Sequence, residues 1–283
     1  MKILITGSNG QVGSSLVNCL REHDLIPLSR HDCDLSLLDQ IKKTIDQNVP
    51  DLIINSAAYT DVDKAEIETK LAFNINRDAP KVLAQKANEY KIPFIHFSTD
   101  YVFDGNKVGS YFEGDTTNPL GTYGQSKLAG EEKIMEVGGQ FFIFRTSWVY
   151  SNLGNNFYLT MKRLSQNCNE LKVVADQVGV PTPNIFIAKQ IKKIIPQLTE
   201  NNTGIYNLVP DGLCSWYEFA KEIISLTNPN FNLENLHSIQ THEFLTKAKR
   251  PQNSCLNNVK AKKTFMLKFN NWKSELNKVI DEA

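Results

Sequence analysis

The chain has 283 residues, 41% apolar and 22% charged, enough for one large domain, or a domain plus a smaller lobe, around a proper core. Lys and Arg total 31, as do Asp and Glu, and a net charge of zero removes the broad electrostatic case for nucleic acid or an anionic membrane as partner. Five scattered cysteines with no C-x-x-C suit a reducing compartment better than a disulfide framework or a zinc site, and the five histidines show no ligand spacing, so no metal is expected.

In chain order, the run MKILITG is too short for a signal peptide and no later run could span a bilayer, which predicts a cytoplasmic protein. Apolar strands are predicted over 2–6, 25–28, 51–55, 94–98 and 141–146, with helical patterns over 12–21, 37–47, 79–90 and 123–135 between them. Continuous apolar strands alternating with amphipathic helices predict a doubly wound α/β fold with a parallel, Rossmann-type sheet. His96, within "FIHFS", reads as a packed strand residue. Past 146 the rhythm loosens. Residues 176–183 read as a loop, 185–198 as a helix, and "SWYEF" opens another helix on a capping box of Ser215 and Glu218. Residues 250–257 are loop-like. The expected organisation is a dinucleotide-type domain over 1–150, rejoined by some later segments, and a smaller, mainly substrate-binding α+β lobe over 151–283.

"ITGSNGQVG" places Gly7, Gly10 and Gly13, with Gln11 and Val12 between the last two, after the first strand and at the start of the first helix. Glycine permits a tight turn, close backbone approach to a pyrophosphate and close helix packing, and the helix N-terminus adds unpaired N–H groups. The spacing G-x-x-G-x-x-G is one residue longer than the usual fingerprint, and a plain structural turn is the competing reading. The second strand ends at Arg30, where an NAD-preferring fold would carry an acid for the ribose 2′-hydroxyl. An arginine suits a 2′-phosphate, so NADPH is expected, with NADH accepted less well; the bland alternative is a solvated arginine. Asp34 and Leu35 fall beside the expected adenine.

Y-x-x-x-K occurs three times, at Tyr123…Lys127, Tyr158…Lys162 and Tyr217…Lys221, so spacing alone decides nothing. Reducing a carbonyl with a nicotinamide requires an acid for the new alkoxide, a group that tunes the acid, and a hydrogen bond to the carbonyl oxygen. A phenol, ordinarily near pKa 10, is tuned by a nearby cation, and a lysine four residues on shares its helix face. Tyr158 and Lys162 lie beyond the predicted strands without a polar strand-end partner upstream. Tyr217 and Lys221 sit on a helix whose other residues read as packing. Tyr123 opens the helix that follows "FIHFS", and that strand ends at Thr99, where open α/β sheets bind ligands. Thr99, Tyr123 and Lys127 are the candidate catalytic set.

The segments "TGSNGQVG", "NSAAYTDVDKAE", "FSTDYVFDG", "PLGTYGQSKLAGEE", "FRTSWVY", "DQVGVPTP" and "RPQNS" occur in order along the chain. Together they resemble the extended short-chain dehydrogenase/reductases, and within them the dTDP-4-dehydrorhamnose reductase family. The resemblance implies reduction of the C4 ketone of dTDP-4-dehydro-L-rhamnose by NAD(P)H, the last step in making dTDP-L-rhamnose for surface polysaccharide. It implies that Thr99 bonds the ketone oxygen, Tyr123 gives the proton, and Lys127 assists Tyr123 and holds the cofactor ribose. It further implies Asn76 behind the lysine, Ala57, Ala58 and Tyr59 beside the nicotinamide, Asp100, Tyr101 and Trp148 against the substrate, and Arg250 on the diphosphate. Core packing competes for Trp148. Ser15 stands where many bacterial members carry a glutamate of a metal-linked dimer, so a monomer or weak homodimer is expected. Other nucleotide-sugar members, epimerases or dehydratases, are alternatives, although Tyr101 follows Asp100 where a dehydratase would carry a second acid. A non-catalytic subunit resembling the β subunit of methionine adenosyltransferase is the alternative from another class.

Overall fold

In the computed structural model, which describes residues 1–281, the five strands read from the sequence form as β1 (Lys2–Thr6), β2 (Asp24–Leu28), β3 (Leu52–Asn55), β4 (Phe94–Thr99) and β5 (Phe141–Thr146). They run parallel in the order β2-β1-β3-β4-β5, and a sixth parallel strand, Gly204–Asn207, adds to β5. Six helices accompany them: α1 (Gln11–Cys19), α2 (Leu38–Asn48), α3 (Val62–Ala65), α4 (Thr69–Phe73), α5 (Ala79–Glu89) and α6 (Thr122–Val137). This is the expected doubly wound sheet.

Every residue of β3 and β4 is buried, as a sheet covered on both faces requires. Successive side chains alternate between two cores. Ile3, Ile5, Ile54 and Ile95 pack with Leu16 of α1 and with Ile187 and Ile191 of a helix at Asn184–Ile194. Leu4, Ile53, Phe94 and Ile143 pack with Ile41 of α2, Leu83 of α5 and Ile134 of α6. The chain order reverses at β1, between β2 and β3, so the crevice for a ligand opens at the carboxyl ends of β1 and β3.

A third core joins Tyr150, Tyr158, Leu171, Phe219, Ile223, Leu236, Trp272 and Leu276. It lies among helices Phe157–Asn167, Trp216–Thr227 and Trp272–Asp281 and a parallel strand pair, Leu171–Val174 with Leu236–Ile239. The capping box at Ser215 and Glu218 is present.

Two local expectations change. Residues 176–183 are not purely loop: Val178–Gly179 pairs with Cys214–Ser215, and Thr182–Pro183 pairs with Val149–Tyr150. The α-helix expected over 185–198 ends at Ile194 and tightens into a 3₁₀ turn, Ile195–Gln197, because Pro196 has no N–H to continue the ladder. A π-helical turn, Asn74–Asp78, links α4 to α5 and was not expected.

Candidate active site

A cleft of about 830 Å³ opens along the carboxyl ends of β1, β3, β4 and β5. Its floor begins at the glycine loop. Gly7 holds φ +67°, a left-handed turn that a side chain would strain, and a Cβ on Gly13 would overlap the Gly7 carbonyl. Helix α1 starts after Gly10 with no side-chain cap, so its first N–H groups face the cleft free of side-chain acceptors. Gly7, Gly10, Gln11 and Val12 line the cleft; Gly13 does not, and its role is to let α1 sit close on β1. Gln11 also reaches across to later residues: its Oε1 accepts from Ser151 (2.8 Å) and Asn156 (2.9 Å), and its carbonyl accepts from Asn184 (2.8 Å).

Arg30, Asp34 and Leu35 line one end. The Arg30 side chain is 74% exposed, and its Nε donates to Asp34 Oδ2 at 3.3 Å, so the guanidinium is both accessible and oriented. The backbone N–H of Ser36 is the main reason the Asp34 carboxyl stays below its ordinary value. Ala57, Ala58 and Tyr59, just past β3, line the middle of the cleft, and the Tyr59 hydroxyl donates to Glu68 (2.7 Å).

Thr99, Asp100, Tyr101, Tyr123, Lys127 and Trp148 all reach the same cleft. Glu66 fixes the start of α6, because the Thr122 N–H and hydroxyl donate to its two carboxylate oxygens at 2.8 and 3.0 Å. That places the Tyr123 ring edge-on to Tyr101, with centroids 5.8 Å apart. Burial pushes Tyr123 up to about 12; its hydrogen bond with Thr99 works against this, and the Asp100 charge adds to it. Burial draws Lys127 down to about 8, opposed by the charge of Glu131. Asp100 is raised to about 7 by burial, against hydrogen bonds from Ser254 and Thr99. Tyr158 and Tyr217 stay outside. The first is fully buried in the third core, and the second donates to the Leu236 carbonyl at 3.2 Å.

Three expected residues have partners that the sequence did not reveal. Asn76 lies against α6 beside Lys127 but bonds to its neighbours rather than to the lysine. The π-helical turn aims it at Tyr59, where it accepts from the N–H (2.8 Å) and donates to the carbonyl (3.0 Å), and it also donates to Ser126 (3.0 Å). His96 is packed, but it is more than packing: its Nε2 lies 3.2 Å from Lys127 Nζ. Arg250 meets the cleft residue Tyr101 but is engaged elsewhere: its Nη2 donates to Asp63 at 2.9 Å, and its Nη1 is buried with no partner among the described residues. Sequence reasoning also passed over Trp216, which lines the cleft and stacks on Trp148 at 3.5 Å and 7°. Its place in "SWYEF" gave no signal beyond helix packing.

A parallel α/β sheet with a glycine loop after its first strand, and a threonine, tyrosine and lysine gathered past its fourth, defines a dehydrogenase/reductase of the short-chain type. The chain belongs to the RmlD substrate binding domain family, whose model matches residues 1–283. It is similar to the dTDP-4-dehydrorhamnose reductase of Aggregatibacter actinomycetemcomitans, 38% identical over 287 residues and 98% of each chain. Among solved structures it is similar to dTDP-4-dehydrorhamnose reductase from Bacillus anthracis in complex with NADP (TM-score 0.94, 36% identity, 100% of this chain and 99% of that one). The corresponding structure from Clostridium acetobutylicum gives TM-score 0.94 at 39% identity over the same shares.

Proposed function

We propose that this chain reduces the C4 ketone of dTDP-4-dehydro-L-rhamnose to dTDP-L-rhamnose, with hydride supplied by NADPH when bound. The observation that carries this reading is the convergence of Thr99, Tyr123 and Lys127 on the cleft that the uncapped glycine loop enters. The residues present fit a dinucleotide phosphate: the first N–H groups of α1 suit the pyrophosphate, and the exposed Arg30 suits a 2′-phosphate.

Tyr123 is the acid. A phenol at about 12 is protonated throughout the neutral range, and it is still a far stronger acid than the alcohol it would produce. The phenolate left behind is half-buried in the cleft, so it depends on the Lys127 cation one turn on and on the Thr99 hydroxyl. Thr99 Oγ1 donates to Asp100 Oδ1 at 3.0 Å and accepts from the Tyr101 N–H at 3.2 Å, which fixes its direction at the strand end. For Thr99 to donate to a ketone oxygen, its proton must leave Asp100, and a protonated Asp100 allows that. Trp148 and Trp216 form one aromatic wall suited to the sugar or base. Arg250 reaches the diphosphate by exchanging Asp63 for phosphate oxygens, with the unpaired Nη1 ready to donate. None of the five cysteines is in a disulfide among the described residues, which suits the cytoplasm.

The test is turnover of NADPH with dTDP-4-dehydro-L-rhamnose, with the product identified by NMR. Formation of dTDP-L-rhamnose supports the reading; no oxidation of either NADPH or NADH with this substrate removes it.

A further inference from the structure

Four fully buried polar side chains run in a line across the sheet beneath the cleft. Thr6 at the end of β1 lies 2.6 Å from Asn55 Oδ1 at the end of β3. Asn55 Nδ2 lies 2.9 Å from His96 Nδ1 on β4, and His96 Nε2 lies 3.2 Å from Lys127 Nζ on α6. Lys127 also donates to the Phe97 carbonyl at 2.6 Å. Relative exposures of 1%, 0%, 0% and 2% leave no bulk water to replace any partner in this line. An apolar strand residue would have filled the position of His96 without the cost of burying two ring nitrogens.

We propose that His96 is a positioning residue for Lys127, and that the Thr6–Asn55–His96 line couples the charge of the lysine to the orientation of the Asn55 amide. The proposal rests on Lys127 serving the reduction described above. Its logic is hydrogen-bond accounting. Read from the threonine, Thr6 donates to Asn55 Oδ1 and Asn55 Nδ2 donates to His96 Nδ1. The neutral ring then carries its proton on Nε2 and faces a lysine that must accept it as an amine. Read from the lysine, an ammonium donates to Nε2, Nδ1 carries the proton, and Asn55 must turn over to accept it.

Burial, and then the Lys127 charge, hold the imidazole well below its ordinary value, so the ring is neutral in both arrangements. Among the described residues, the charged group acting on the pair from outside it is Glu131, four residues beyond Lys127 and paired with Arg145 of β5. The lysine value of about 8 puts its two charge states close together near neutrality, where a change in one buried partner is felt.

The test is the pH profile of kcat, together with KM for NADPH and thermal stability, in His96→Phe, His96→Gln and Thr6→Val. His96→Phe removes the acceptor of the ammonium, so kcat should fall roughly 10-fold or more and the alkaline limb should move down by about one pH unit, the worth of a lost charge-assisted hydrogen bond. His96→Gln restores an acceptor and should recover most of both. Thr6→Val frees the amide to present its oxygen to His96, favours the ammonium, and should move the limb up. A merely structural role would not move the two limbs in opposite directions. Limbs of folded His96→Phe and Thr6→Val that coincide with the parent overturn the proposal. If His96→Phe does not fold, an unmoved limb in Thr6→Val overturns it alone. If the parent itself does not turn over, the functional reading fails instead. The contact is then read from the ¹⁵N signals of the His96 imidazole in parent and Lys127→Met: a changed Nε2 signal supports the proposal, and an unchanged one overturns it.

Discussion

Asp100 follows Thr99 with one carboxylate oxygen bonded to the threonine hydroxyl and the other buried with no partner among the described residues. Because its folded value is raised from 3.8 to about 7, folding takes up a proton between those limits. The stability it contributes is complete below the unfolded value and is lost as pH rises through about 7. Asp100→Asn has no such loss, so its stability relative to the parent should rise between pH 4 and pH 8 in urea denaturation; a difference that stays constant across that range contradicts this. Arg30 is argued from position and exposure: Arg30→Ala should raise KM for NADPH more than for NADH, and equal effects would leave it a surface residue. Both residues were visible in the sequence because each sits at a strand end. His96 was rightly read as a packed strand residue, but its polar partners were hidden for a physical reason. A lone histidine in an apolar strand has the pattern of packing, and its two ring partners lie 41 and 31 residues away in sequence.

Among the elements, α6 carries the site and its start depends on Glu66. Gly121 offers no side-chain cap, and the carboxylate of Glu66 accepts from both the N–H and the hydroxyl of Thr122. Glu66→Ala should cost about 0.5–2 kcal/mol of stability, as loss of a helix cap does, and should lower kcat because Tyr123 is the next residue. Denaturant unfolding and steady-state kinetics measure the two effects; unchanged values of both would mean that the cap does not hold the helix start. The five predicted strands and the four helices between them were legible because long apolar runs and 3.6-residue periodicity are local signals. The strand Gly204–Asn207 was not, since four residues, GIYN, carry little pattern and its pairing with β5 spans some sixty residues of chain. The π-helical turn at Asn74–Asp78 was also hidden, because the single extra residue that re-aims Asn76 has no periodic signature.

At the scale of the whole molecule, the early and later parts of the chain are tied at Gln11, through Ser151, Asn156 and Asn184, and again at Asp63 with Arg250. The second tie matters for ligand entry, because Arg250, beside the cleft residue Tyr101, is paired with Asp63. Its planar fork can take phosphate oxygens two at a time, which a lysine cannot copy. Arg250→Lys and Arg250→Ala should therefore weaken dTDP binding by about 1.5–3 kcal/mol, roughly 10–150-fold, with NADPH binding nearly unchanged in calorimetric titration. Parallel losses for both ligands would assign Arg250 to holding the two parts together instead.

The central claim is that Tyr123, and neither of the other two tyrosines with the same spacing, is the acid of the reduction. Of these three, Tyr123 alone shares a cleft with Thr99 and the glycine loop, whereas the Tyr158 hydroxyl is buried in the third core without a partner among the described residues. Steady-state kcat with saturating NADPH and dTDP-4-dehydro-L-rhamnose, compared across Tyr123→Phe, Tyr158→Phe and Tyr217→Phe, tests this most directly. The account predicts a fall of roughly 10²–10⁴ for Tyr123→Phe, the worth of a positioned acid, and near-parent values for the other two. A folded Tyr123→Phe that keeps near-parent kcat, or an equal loss in Tyr158→Phe, would contradict it.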